Sequence, residues 1–91
     1  MNRKYMSETD FSALVRKTVA EYHNEHREEN APEIGAQDVY IVWMCRILQN
    51  NKALAATNQA DGMYYELTYD GDRGQMYVDV YRKQENFTVV V

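Results

Sequence analysis

A chain of 91 residues, 45% apolar and 26% charged, forms one domain, 1–91, and is long enough to bury a core without disulfide or metal staples. Its composition excludes intrinsic disorder, and one Pro with four Gly leaves no room for a flexible linker. A net charge of −4 argues against nucleic acid as a partner: phosphate neutralisation needs clustered Lys and Arg, and the candidate basic patches at Arg3-Lys4 and Arg82-Lys83 are each only a pair.

Met1 to Asp10 is polar and lacks the apolar stretch of a secretory signal. The first element expected is a helix capped by Ser7 or Thr9, with Glu8 and Asp10 placing negative charge at its start. Phe11, Leu14, Val15, Thr18, Val19 and Tyr22 form one apolar stripe, and Pro32 sets the helix end near Asn30. Pro32 to Ala36 is then a loop. Val39 to Leu48 follows, with nine apolar residues in ten, including the only Trp and the only Cys. Its length, with Asp38 as N-cap, favours a second helix to about Asn50, and that helix should be the most buried element, with Trp43 and Ile47 in the core. A strand over Val39 to Met44 is the competing reading. The run is too short to span a bilayer.

Lys52 to Thr57 is a weak first strand or an extension of that helix. After a turn at Gln59-Ala60-Asp61-Gly62, Met63 to Tyr69 alternates, with Met63, Tyr65, Leu67 and Tyr69 on one face and Tyr64, Glu66 and Thr68 on the other. Asp70 to Gly74 is a hairpin turn, and Gln75 to Lys83 alternates again. Phe87 to Val91 is a last short strand or a docking tail. The fold expected is α+β: two N-terminal helices packed on a three-stranded antiparallel meander. A four-residue loop, Gly71 to Gly74, would set Leu67 opposite Val78, Tyr64 opposite Tyr81 and Glu66 opposite Asp79. Since the last pair opposes like charges, a register slid by two residues is expected instead.

His23 and His26 are spaced as His-x-x-His, but no third ligand lies nearby in sequence, so solvated histidines at a helix end are favoured over a metal site. Cys45, between Met44 and Ile47 and next to Trp43, is expected as a buried core thiol rather than a nucleophile. A lone Cys in an apolar run also fits a reducing compartment. Asp70-Gly71-Asp72 begins like a calcium loop, lacks its later ligands, and is explained by turn chemistry. No metal and no cofactor are expected. The remaining constellation is the outward sheet face of Tyr64, Glu66, Tyr77, Asp79 and Tyr81, where rings and carboxylates suit a binding surface as well as an ordinary half-exposed sheet.

Val42-Trp43-x-Cys45-x-x-Leu48-Gln49-Asn50-Asn51-Lys52-Ala53-Leu54, with Asp61-Gly62-Met63-Tyr64-Tyr65-Glu66-x-Thr68-Tyr69-x-Gly71-Asp72 after it, resembles a family of small uncharacterised proteins from phages and prophages of Gram-positive bacteria. The likeness covers roughly residues 11 to 86 and implies a host-cytoplasm setting with no catalytic residues to carry over. The function expected is that of a small, non-enzymatic accessory protein in the host cytoplasm, a module that binds a host protein or self-associates, with no membrane partner. The alternative is a small-ligand or nucleotide binder using the Tyr/Glu/Asp face. Self-association is expected through the second helix or through the Val89-Val90-Val91 edge.

Overall fold

A computed structural model describes residues 6–91. Arg3 and Lys4, one of the candidate basic patches, lie outside the described residues. One helix, α1 (Glu8–His26), is followed by a short 3-10 turn (Ala36–Asp38) and four strands: β1 (Val39–Ile47), β2 (Asn50–Thr57), β3 (Met63–Asp70) and β4 (Gln75–Arg82). The strands form one antiparallel meander in the order β1-β2-β3-β4, with α1 packed on one face.

α1 starts where its cap dictates. The Asp10 N–H donates to Ser7 Oγ at 3.0 Å, and Glu8 and Asp10 sit in the first turn against the positive end of the helix dipole. Its stripe buries Phe11, Val15, Val19 and Ala20 against Ala53 and Ala55 of β2 and Tyr65, Leu67 and Tyr69 of β3. The small Ala side chains of β2 let the helix lie close to the sheet centre. The helix ends at His26, one turn before the Asn30 expected from Pro32. The chain leaving it is clamped by Asn24, whose Nδ2 donates to the Ile34 carbonyl and whose Oδ1 accepts from the Ile34 N–H, both at 2.9 Å. That pair seats Ile34 in the core and aims the chain into β1.

The expected second helix is a strand hairpin. Val39 to Ile47 is β1, and Lys52 to Thr57 falls inside β2, so two helices on three strands becomes one helix on four. Two local features hide this hairpin from a periodicity argument. Register steps by one residue between Ile41 and Trp43, leaving Val42 as an extra residue that breaks the alternation. The turn joining Ile47 to Asn50 is only Leu48-Gln49, with no Gly, and Leu48 takes φ 57. Length misleads here because a nine-residue strand and the tight turn after it read as one run. The β-branched and aromatic content of Val39, Tyr40, Ile41, Val42 and Trp43 was the better guide.

The core is correspondingly different from expectation. Trp43 is 43% exposed and Ile47 68%, whereas Tyr65 and Leu67 are fully buried. The β3–β4 register is the unslid one, with Leu67 opposite Val78, Tyr64 opposite Tyr81 and Glu66 opposite Asp79. Lys52 of β2 supplies the compensating cation, its Nζ 3.2 Å from Glu66 Oε2. Phe87 to Val91 forms no strand within the chain.

Truncation of Leu67 to Ala is expected to cost about 2–5 kcal/mol, because it empties a fully enclosed site. Leu48→Gly is expected to stabilise, by up to about 1 kcal/mol, since Gly relieves a left-handed backbone at an exposed turn. Urea unfolding of both variants checks the two signs.

Candidate interaction face

The sheet face away from α1 carries its side chains in cross-strand rows. One row runs Trp43, Leu54, Glu66, Asp79 and the next runs Cys45, Lys52, Thr68, Tyr77, while Tyr40 lies opposite Ala56 and Tyr64 opposite Tyr81. All five residues expected on the outward face, Tyr64, Glu66, Tyr77, Asp79 and Tyr81, are therefore brought together. Alternation along β3 and β4 suffices for that. Tyr40 and Trp43 join them from β1, and were missed because β1 was assigned to a helix. A strand reading of Val39 to Met44 would have placed them near this face.

At the centre of the face Glu66 is held from both sides. Lys52 pairs with Oε2, and the Tyr81 hydroxyl donates to Oε1 at 3.0 Å. The hydrogen bond from Lys52, then that from Tyr81, holds the Glu66 carboxyl below its ordinary range. The same bond to a carboxylate pushes the Tyr81 phenol up, because ionisation would remove the donated proton. Tyr77 is tethered more locally, its hydroxyl donating to Gln75 Oε1 at 3.1 Å. The rings of Tyr40, Trp43, Tyr77 and Tyr81 stay substantially exposed on a rigid sheet. Cys45, expected in the core, is exposed on this same face. Chemically the face offers stacking and apolar contact, hydroxyl groups, and the carboxylate of Asp79, with Glu66 already partnered.

A second feature lies at the other end of α1. Tyr22, His23, His26, Asp61, Tyr65 and Arg82 line a cleft of about 540 Å³ between the helix end and the β2–β3 turn. His23 Nδ1 is 3.7 Å from Asp61 Oδ2, and the His26 ring stacks on Tyr22 at 3.9 Å. His26 Nδ1 is also 2.9 Å from the Tyr22 carbonyl, which fixes the ring over the helix. The two histidines thus have separate partners. Among the described residues no group of three or more His, Cys, Asp or Glu could hold a metal ion, and no helix is long and apolar enough to cross a membrane. Asp70 and Asp72 do turn work: Asp70 Oδ1 accepts from the N–H groups of Asp72 and Arg73.

A single-helix, two-layer α+β domain with one bare aromatic sheet face is the class that these elements define. Residues 12–91 match the model of a family of unknown function, DUF6275, and the chain belongs to that family. No curated protein and no solved structure matches it.

Alkaline pH should reveal Tyr65. Burial first, then the charge of Asp61, raises its phenol above the ordinary 10.0. The folded state therefore keeps a proton that the unfolded chain gives up near pH 10. Its contribution is whole below that pH and is lost as pH rises through the folded-state value. Tyr65→Phe is expected to flatten the alkaline limb of a melting-temperature profile.

Proposed function

We propose that this protein is a non-enzymatic protein-interaction module whose binding surface is the helix-free sheet face centred on Trp43, Tyr64, Tyr77 and Tyr81. The observation that carries the reading is Trp43 itself, a large ring left 43% exposed on the sheet face away from α1. Trp and Tyr are the residues that most often anchor interfaces, because they bury much apolar area at small entropic cost and keep a polar tip for hydrogen bonding. Tyr40 and Val42 extend the exposed apolar surface along β1.

The face also selects among partners. Glu66 is neutralised by Lys52, so the charge presented is mainly Asp79, which favours a partner with a basic or amide-bearing side chain among apolar ones and disfavours phosphate. The setting we propose is that of a phage or prophage accessory protein in the cytoplasm of a Gram-positive host, on the strength of the Leu48–Leu54 and Asp61–Glu66 strings. The partner is then a host protein. A small-ligand role is better served by the cleft beside His23, of about 540 Å³, than by the smaller hollow of about 210 Å³ beside Cys45 and Lys52 on the open face.

The test is capture of host proteins on immobilised protein, with Trp43→Ala/Tyr81→Ala compared against His23→Ala. Loss of capture in the first variant, with its melting temperature within a few degrees of the parent, is the expected result. Capture that survives there and fails in His23→Ala moves the site to the cleft.

A further inference from the structure

Tyr65 forms the floor of the cleft at the end of α1, and its hydroxyl is unpaired there. The residue is 1% exposed, yet that hydroxyl has no hydrogen-bond partner among the described residues. It is not sealed in the core, as Asn51 Oδ1 is. The little access that Tyr65 keeps is therefore at its tip, through the cleft it lines. Buried hydroxyls normally find a partner, so one that opens only into a cleft is placed to pair with whatever enters.

Around that floor most of the charge is committed. Arg27 donates to the carbonyls of Asn24 and Ala31 and lies 3.4 Å from Glu33. Asp61 accepts from the Met63 N–H through Oδ1 and faces His23 through Oδ2. Two charged residues of the lining, Arg82 and Glu28, have no side-chain partner among the described residues, and both are exposed. They come from opposite walls. Arg82 ends β4, opposite Met63 and diagonal to Tyr65, which sets the Tyr65 and Arg82 Cβ atoms roughly 7–8 Å apart. Glu28 follows the C-terminus of α1, the negative end of the helix dipole.

We propose that the cleft binds a free aromatic amino acid, with its ring on Tyr22 and Met63, its carboxylate on Arg82 and its ammonium between Glu28 and the end of α1. A phenol at the far end of that ring accepts a hydrogen bond from Tyr65, so tyrosine is preferred to phenylalanine. With Arg27 held by Glu33 and Asp61 by His23, the uncommitted charges are one positive and one negative, and a zwitterion meets both. A phosphate or dicarboxylate would bring excess negative charge against Glu28, Asp61 and the helix end. Arginine supplies the planar fork that holds a carboxylate by two parallel bonds. The volume of about 540 Å³ lies within the range of small-molecule sites. The cleft is on the helix side of the sheet, so this role stands or falls separately from that of the Trp43 face.

The test is titration of the full chain with tyrosine, followed by NMR. Saturable shifts are expected at Tyr22, Met63 and Arg82, with the Trp43 indole unmoved. Tyramine lacks the carboxylate, hydroxyphenylpropionate the ammonium and phenylalanine the phenol, and each should bind on the order of tenfold more weakly. Each preference should vanish in one variant alone: that over tyramine in Arg82→Gln, over hydroxyphenylpropionate in Glu28→Gln, and over phenylalanine in Tyr65→Phe. Arg82 and Glu28 are exposed, so the first two variants keep the fold whatever happens in Tyr65→Phe. No saturable shift up to the solubility of tyrosine, shifts centred on Trp43, or preferences that survive in their matched variants overturn the inference.

Discussion

One helix cannot cover four strands. An α-helix with its side chains is about 10–12 Å across, while four strands spaced about 4.8 Å apart present a width of roughly 15–20 Å. α1 lies over β1 and β2 and reaches Tyr65, Leu67 and Tyr69 of β3, which are buried. β4 falls beyond its cover, so Val80 is exposed although it points to the helix side. Among the described residues the opposite face has no second layer. Everything of functional interest follows from that shortage of cover: a bare face, a half-covered edge strand, and apolar residues that cannot all be placed inside.

Legibility from sequence tracked the regularity of each element. α1 was legible because its apolar stripe keeps a 3.6-residue period from Phe11 to Tyr22 and Ser7 caps it. β3 and β4 were legible because Met63 to Tyr69 and Met76 to Tyr81 alternate without interruption around a Gly-bearing turn. β1 and β2 were not, since the bulge at Val42 shifts Trp43 out of phase and Leu48 stands where a turn signal would be sought. The outward face was consequently half legible. Its β3 and β4 residues could be named, while Tyr40 and Trp43, two of its more exposed rings, fell in the expected second helix, with Trp43 in a core that does not contain it.

The β3–β4 register shows how magnitudes decide between local conflicts. Opposing Glu66 to Asp79 costs a fraction of a kcal/mol, since like-charged cross-strand pairs lie within about 0.2–1 kcal/mol of neutral ones. Sliding the strands by two residues would change the loop that Asp70 organises. There Asp70 accepts the N–H groups of Asp72 and Arg73, its carbonyl accepts from Gly74, and Gly71 donates to Asn50 Oδ1. Each such bond is worth about 0.5–1.5 kcal/mol net, so the turn outweighs the repulsion. Lys52 then removes most of what repulsion remains, by way of an ion pair on the third strand. A pairwise view of two strands could not include it.

The choice of tyrosine over leucine or phenylalanine on the bare face has a physical logic. A phenol ring supplies apolar contact area, yet its hydroxyl can be satisfied by water or by a neighbour such as Glu66 or Gln75 when nothing is bound. The face can therefore stand in solvent without demanding burial. The Tyr81–Glu66 bond satisfies the hydroxyl while the face stands in solvent. The exposed valines and Phe87 of the C-terminal segment have no such polar tip. Of the two surfaces this small fold leaves open, the tyrosine face carries polar groups that satisfy one another in solvent, while the valine-rich segment carries none at its exposed apolar tips.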